Sequence, residues 1–371
     1  MDKMKIGLIG CGMISEIYLT NCIERFGNME VVACADILLE AAEERARQFG
    51  LTACDVDELL DNSEIQAVIN LTTPDQHAPV SMRILQAGKH VYSEKPLAIT
   101  YDDGKALLNY AKDHGLYIGC APDTFLGGGL QTCRKLIDEG IIGKPFAGQA
   151  FMLSCGPEVF HPNPEFFYKK GAGPTLDWGP YYISALVSLL GPVKRIGSVG
   201  KIHFPERKVL SETSPRHGET FTVEVPTYVS SILEFVNGAV VTLTISFDMK
   251  FPYWDARLPY IQLYGSEGVL TIPDTNKYEG PVYVRDGRGE PQEVPLSHPF
   301  TENSRGMGFS DMIHAIQTGG SYRANADFAL HTLEVLLKIL ESAEKGEFCE
   351  LETICEQPEP LPEKMPQYLY D

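Results

Sequence analysis

The sequence contains no C-x-x-C pair, no histidine at metal-ligand spacing, no basic run longer than pairs such as Lys169-Lys170 or Lys194-Arg195, and no apolar run approaching ~18 residues. Each absence removes a class of function. Nine cysteines placed singly at 11, 22, 34, 54, 120, 133, 155, 349 and 355 exclude a disulfide framework and a zinc site, and point to reduced thiols in a cytoplasm. No metal is expected. Without a basic patch, a chain carrying 31 Lys+Arg against 50 Asp+Glu, net −19, repels phosphate backbones and anionic lipid, so neither nucleic acid nor a membrane is an expected partner. The opening MDKMKIGLIGCGMIS starts basic, but Gly7, Gly10 and Gly12 interrupt its apolar run, so it reads as neither a signal peptide nor a span. No internal repeat is visible.

What is present is an alternation. The 371 residues, 44% hydrophobic, are enough for two domains at ~100–200 residues each. From Lys5 to about Cys120, the apolar runs KIGLIG, EVVACAD, AVINLTT, KHVYSE and LYIGCA alternate with helical segments near 14–26, 39–49, 77–87 and 100–114. That pattern builds a doubly wound parallel sheet, an α/β Rossmann domain, over residues 1–122. The first strand leads into Gly10-Cys11-Gly12-Met13-Ile14-Ser15, a dinucleotide fingerprint with Ser15 at its third small position. Gly10 permits the turn, Gly12 admits a pyrophosphate, and the amides that open the next helix, around Met13 and Ile14, are its donors. The second strand ends at Asp36, 24 residues beyond Gly12, where a carboxylate accepts hydrogen bonds from the adenosine ribose. Neither Ile37 nor Leu38 supplies a cation for a 2′-phosphate, so NAD is favoured over NADP.

Beyond Pro122 the alternation stops, and residues 123–371 read as an α+β substrate-binding and oligomerisation domain. A helix near 127–139 precedes a strand near 146–154, a helix from about 178, and several long strands. Residues 239–247 set Val241, Leu243, Ile245 and Phe247 on one face and Thr242, Thr244 and Ser246 on the other, a half-buried antiparallel strand. Similar runs at 228–236, 258–264 and 269–272 complete a large, open, mostly antiparallel sheet. Residues 201–219 are polar and read as a long loop. Residues 327–345 form the clearest amphipathic helix, with Leu330, Leu333, Leu337 and Leu340 on one stripe. The tail from Gln357 contains Pro358, Pro360, Pro362 and Pro366 and reads as an extended arm.

After AVIN the chain runs NLTTPDQHAPVSMRILQAGKHVYSEKPLAIT, and the order of T-P-x-x-H, AGKHV and Glu94-Lys95-Pro96 resembles the Gfo/Idh/MocA oxidoreductase family. The resemblance continues through GAGPTLDWGPYYISALVSLLGPV and ALHTLEVLLKILESAEKG, nearly the whole chain. It implies that Lys95, held out of any helix by Pro96 and joined to it by a cis bond, contacts the hydroxyl being oxidised. With its pKa lowered by the nearby nicotinamide, Lys95 would help remove the proton. The resemblance also places Thr72, Thr73 and Pro74 beside the nicotinamide ribose and gives Glu94 either Lys95 or the cofactor as its partner. His77 either faces the cofactor pocket or packs and caps.

Asp177 reads as the N-cap of a helix whose first turn holds Pro180, with Tyr181 four residues on. The family's usual histidine is Tyr181 here, as in its glucose–fructose oxidoreductase branch. An unperturbed tyrosine titrates near pH 10, so a base role needs a cation such as Lys95 beside it, and the alternative is a stacking or hydrogen-bonding tyrosine. Asp123, His161 and Tyr168 are further candidates for the substrate pocket, because aromatics with short polar groups suit a sugar ring; His161 alternatively is an ordinary loop residue. By resemblance, the helix 327–345 packs back on the first domain and the sheet pairs copies as a homodimer or homotetramer. The expected function is NAD-dependent oxidation of a secondary hydroxyl on a sugar, cyclitol or glycoside. The tyrosine motif keeps open a redox-neutral enzyme that recycles tightly bound NAD, and function not being fixed by fold keeps open a non-catalytic sensor.

Overall fold

Short apolar runs flanked by helices on both sides have no solvent face to satisfy, and they assemble as a parallel sheet buried on both faces. In the computed structural model, which describes residues 2–250 and 260–364, the strands are β1 (Met4–Ile9), β2 (Met29–Ala35), β3 (Thr52–Cys54), β4 (Ala67–Asn70), β5 (His90–Ser93) and β6 (Ile118–Cys120). The helices between them are α1 (Ser15–Glu24), α2 (Leu39–Phe49), α3 (Val56–Asp61), α4 (Pro74–Gln86) and α5 (Tyr101–His114). The strand order is β3-β2-β1-β4-β5-β6. It reverses between β1 and β4, and the crevice beyond their carboxyl ends is where such sheets bind ligands.

The sheet has one strand more than the five expected from the apolar runs. β3 is a three-residue edge strand, too short to leave a periodic signature, and α3 follows it behind a capping box: Asp55 Oδ1 accepts from the Glu58 amide at 2.8 Å and Glu58 Oε2 from the Asp55 amide at 3.2 Å. α5 closes as its sequence indicates, with Gly115 in the left-handed region at φ 65°.

Among the described residues, the second sheet has nine strands. They are β7 (Pro145–Leu153), β8 (Val193–Lys201), β11 (Tyr228–Phe235), β12 (Val240–Ser246), β13 (Ile261–Gly265), β14 (Gly268–Ile272), β15 (Val282–Asp286), β16 (Gln292–Val294) and β17 (Cys349–Glu350). The order is β16-β15-β14-β13-β7-β12-β11-β8-β17. β12 runs antiparallel to β11 but parallel to β7, so the sheet is mixed although mostly antiparallel. Residues 258–259 of one expected strand, and Pro366 of the tail, lie outside the described residues. Helices α6 (Gly128–Asp138), α7 (Pro174–Asp177), α8 (Gly179–Leu190), α9 (Met307–Thr318) and α10 (Ala326–Lys345) serve this sheet and its junction with the first.

Two features position the cleft. α10 is capped by Asn325, whose side chain accepts from the Phe328 amide at 2.9 Å, and its Ala329, Leu330 and Leu333 join the apolar cluster of α4 and α5. The opposite side of the helix faces α8 and β8, so one helix closes two cores. Second, the polar stretch 201–219 does not extend away from the chain. It forms a ribbon of β9 (Glu206–Lys208) and β10 (Thr220–Thr222) laid on residues 157–168 of its own chain, with the Leu210 amide donating to the Glu158 carbonyl at 2.9 Å and Ser214 Oγ to the Pro162 carbonyl at 2.6 Å. Among the described residues, no helix is long and apolar enough to cross a membrane.

Candidate functional site

The turn after β1 is built for close approach. Gly10 has φ +99°, and a Cβ there would stand 2.6 Å from the Leu71 carbonyl carbon, so only glycine fits. The position of a Gly12 Cβ has no atom within 4 Å, which leaves the backbone open on the cleft side. Ser15, buried, donates its hydroxyl to the Gly12 carbonyl at 2.6 Å and fixes the loop against α1. No side chain caps α1, whose N-cap is Ile14, and the Ser15 amide donates to the Gly12 carbonyl at 3.1 Å, so the donors left at this end are the next amides of the first turn. Asp36 takes one backbone N–H on each oxygen, Cys11 at 2.7 Å and Leu38 at 2.9 Å, and retains lone pairs for ribose hydroxyls.

A cleft of about 640 Å³ runs along Gly10, Gly12, Asp36, Thr72 and Thr73. Met13 (89% exposed) and Ile37 (94%) are apolar side chains standing bare near it. Open glycine backbone, uncapped amides, a ribose-height carboxylate and uncovered apolar side chains together fit NAD.

The turn after β4 is held from below. Asn70, fully buried, donates to the His77 carbonyl and to Ser81 Oγ, both at 3.0 Å, and its Oδ1 accepts from the Thr72 hydroxyl at 2.7 Å. His77 is buried with Nδ1 2.7 Å from the Pro96 carbonyl oxygen and Nε2 3.0 Å from that of Thr72. Burial pushes its pKa below the ordinary histidine value despite those two carbonyls. His77 therefore ties the Thr72–Pro74 turn to the Lys95–Pro96 loop from behind, and does not face the cleft. Thr73 is the N-cap of α4 and Pro74 its first residue.

The Lys95–Pro96 bond is cis. Glu94 accepts from the Tyr18 hydroxyl at 2.8 Å and from the Lys95 amide at 2.8 Å, so its partners are the protein itself. Lys95 Nζ donates to Asp177 twice, to Oδ1 at 2.9 Å and to the carbonyl oxygen at 2.7 Å, and stands 5.1 Å from the Tyr181 ring centre. Burial alone would lower the Lys95 pKa, but Asp177, Tyr181 and Glu94 outweigh it and hold the ammonium above its usual range. The chain's own groups thus keep Lys95 protonated, and any lowering comes from the nicotinamide charge that the expectation invoked. Asp177 also differs from its expected place: it ends the short α7, and Trp178 is the N-cap of α8. Its carboxylate is thereby free of capping and turned to Lys95. The hydroxyl of Tyr181 has no hydrogen-bond partner among the described residues.

A cavity of about 260 Å³ opens beside this group, lined by Pro74, Ile99, Phe166 and Phe167 with Lys95 and Asp177 among its walls. His161 stands behind it, edge-on to Phe166 and Phe167 with centroids 5.3 and 5.2 Å away, and its Nδ1 accepts from the Asn163 amide at 3.0 Å. Two expected pocket residues lie elsewhere. Asp123 is buried with Oδ1 taken by the Tyr278 hydroxyl at 2.6 Å and Oδ2 by the amides of Gly306 and Gly308 at 2.9 and 3.0 Å, so it anchors the loop ahead of α9. Tyr168 is fully buried and donates to Glu158, which also takes Arg207 Nη1 at 2.5 Å. Both read as pocket residues because aromatics with short polar groups suit a sugar ring; each is instead buried with partners of its own. Asn70 and Arg305 are the residues that the sequence reading missed. Arg305, in the loop before α9, is in the electrostatic field of Tyr181 and Glu94.

Among the described residues, no group of three His, Cys, Asp or Glu could hold a metal ion. The chain matches two family models: residues 4–121 match an oxidoreductase family with an NAD-binding Rossmann fold, and residues 130–271 a GFO/IDH/MocA C-terminal domain. It is 26% identical over 355 residues to 1,5-anhydro-D-fructose reductase of Ensifer adhaerens, covering 94% of this chain and 98% of that protein. It is 24% identical over 395 residues to levoglucosan dehydrogenase of Pseudarthrobacter phenanthrenivorans, covering 95% and 100%. A solved structure of levoglucosan dehydrogenase in complex with NADH and levoglucosan superposes with a TM-score of 0.80 at 22% identity, covering 95% of this chain and 100% of that one. At that identity the structural likeness speaks for the fold.

Proposed function

The chain belongs to the Gfo/Idh/MocA family of NAD-binding oxidoreductases that act on carbohydrate hydroxyl groups, and from that premise we propose that it oxidises a secondary hydroxyl of a sugar, cyclitol or glycoside. The observation that carries the reading is the Lys95–Asp177 pair, with Tyr181 against it, walling a cavity beside the dinucleotide cleft. When bound, NAD supplies the hydride acceptor. The chain supplies orientation and proton handling. Lys95, held charged by Asp177, has one N–H left after its two bonds to that residue, enough to grip the substrate oxygen and stabilise negative charge developing on it. The second carboxylate oxygen of Asp177 can receive the proton, whereas Tyr181, whose ring lies against Lys95, can do so only as the phenolate and as a neutral hydroxyl serves to hydrogen-bond the substrate. Asn70 and His77 hold the Thr72–Pro74 turn beside this centre.

Residues 1–122 and 123–371 are the two domains of this proposal. Copies would pair through the outer face of the nine-stranded sheet, where Val199, Ile232 and Val240 stand exposed. The test is formation of NADH, followed by its absorbance, across a panel of sugars, cyclitols and glycosides. We expect stoichiometric NADH with at least one class, and a fall in kcat of at least ~10²-fold in Lys95→Ala. Product without net NADH replaces this reading with the redox-neutral one, and an active Lys95→Ala enzyme removes the centre.

A further inference from the structure

The cavity beside Lys95 and Asp177 does not have the walls of a pocket for a bare polyol. A rim of hydroxyls is ordinarily read by short neutral donors and acceptors. Among the described residues that line this cavity there is no serine, threonine, asparagine or glutamine. Its charged members are accounted for: Lys95 and Asp177 hold each other at 2.9 Å, Lys169 is held by Glu224 at 2.9 Å, Asp75 accepts from Gln76 Nε2 at 2.8 Å, and Lys170 is exposed. Much of the remaining wall is apolar, with Ile99, Phe166, Phe167, Ala172 and Leu176 in the lining.

Phe166 is the bare member of that wall. It is 49% exposed, although its ring centre lies 4.0 Å from that of Phe167 and 5.3 Å from that of His161. Phe160, 67% exposed, meets the same histidine edge-on at 6.5 Å and extends the row. The backbone carrying these rings is held. The His161 amide donates to the Pro157 carbonyl at 2.8 Å, Ser211 Oγ to the Phe160 carbonyl at 3.0 Å, and the Gly173 amide to the Phe167 carbonyl at 2.9 Å. Rings kept bare on a fixed scaffold, in a row that starts in the cavity wall, form a contact surface that loses little entropy when a ligand covers it.

A planar ring suits this row better than a second sugar does. Aromatic groups gain from offset or edge-to-face contact at centroid separations of about 4.5–7 Å, and they ask for no hydrogen-bonding group in the wall. A second sugar brings its own hydroxyls, which lose water without gaining partners here.

We propose that Phe166, backed by Phe167 and His161, is the subsite for an aromatic aglycone, so that the preferred substrate is an aryl glycoside whose sugar ring reaches Lys95. This rests on the sugar-oxidation reading above and selects the glycoside among its substrates. In the reaction the carbinol carbon gives a hydride to NAD and its oxygen gives up a proton, which leaves a keto-glycoside with the glycosidic bond intact.

The test uses matched sets built on glucose, galactose and xylose, each containing the free sugar, a disaccharide, and the methyl and phenyl glycosides of both anomers, with myo-inositol beside them. kcat/KM is measured with NAD, and saturation-transfer NMR on the enzyme with NADH reports binding apart from turnover. The wild type is expected to favour the phenyl over the methyl glycoside by at least ~10-fold in one or more sets, in kcat/KM or, where no NADH accumulates, in affinity. Saturation should be strongest on the phenyl protons. Phe166→Ala lowers the phenyl-to-methyl ratio about 10-fold, and Phe166→Tyr, which keeps the ring, retains it. Methyl glycosides, disaccharides or free sugars accepted as well as phenyl glycosides in every set, turnover confined to the inositol, or an equal loss for both glycosides in Phe166→Ala overturns the inference and leaves the oxidation reading standing. A sedimentation coefficient changed by Phe166→Ala assigns the bare rings to contact between copies and overturns it as well. If no member forms NADH or shows saturation transfer while NADH binds, the sugar-oxidation reading falls and this inference with it.

Discussion

Each oxygen of Asp36 accepts a backbone N–H, so the carboxylate both shapes the Gly10–Gly12 loop, through Cys11, and faces the cleft. Asp36→Ala should therefore weaken NAD binding about 10- to 100-fold, measured by titration calorimetry, through lost charge-assisted hydrogen bonds and a loosened loop. An unchanged affinity would show that the ribose is held elsewhere. Residues of this kind are legible in a sequence because their chemistry is local: Gly10 by the turn, Asp36 by its distance from that turn, Lys95 by the proline after it. Asn70 and Arg305 are not. Asn70 closes an apolar strand with nothing to mark its three partner residues, and Arg305 comes into the electrostatic field of Tyr181 from a loop over 120 residues away along the chain. Asp123 and Tyr168 show the converse, polar residues whose surroundings in sequence resemble a pocket and whose partners in space bury them.

Arg207, on the β9–β10 ribbon, is the fastening between that ribbon and the aromatic stretch 157–168. It bonds Glu158 at 2.5 Å and the Phe247 carbonyl at 3.0 Å, and also pairs with Asp248, all three charged side chains being buried. Arg207→Met leaves two buried carboxylates without their cation, and should cost about 3–5 kcal/mol of stability by denaturant unfolding, far more than loss of a surface pair. A cost below 1 kcal/mol would mean that the ribbon is held by its backbone bonds alone. At this scale the sequence was informative where periodicity runs long. β12 and α10 declared their buried faces, whereas β3 was too brief to register. The α7–α8 break was misplaced because Asp177 has the composition of a cap but a lysine for a partner. The polar 201–219 segment read as a loop because its single buried arginine gives no periodic signal.

For the molecule as a whole, acid is the predicted weakness. Burial lowers the pKa of His331 to about 4; the ring accepts from the Val193 amide at 3.0 Å and meets Thr353 Oγ1 at 2.8 Å, joining α10 to β8 and the segment after β17. The unfolded chain binds that proton near pH 6.5 and the folded chain only near 4, so between these values the unfolded state holds more protons. Stability present above pH 6.5 is lost as the pH falls toward 4, by about 3 kcal/mol from this group, and buried His77 adds in the same direction. Unfolding free energies at pH 7 and pH 5 check the slope, which His331→Gln should flatten; a slope unchanged by that substitution assigns it to other groups.

The Lys95–Asp177 bond joins residues 82 positions apart, one delivered by the parallel sheet and the other by a helix of the mixed sheet. Neither partner is complete without the other, so the proposed reacting group is a property of the seam between two architectures. In recombination between relatives, a Rossmann half could be exchanged with its dinucleotide preference intact, but its lysine would arrive opposite a foreign aspartate. Such proteins can inherit cofactor use by the half and chemistry only by the matched pair.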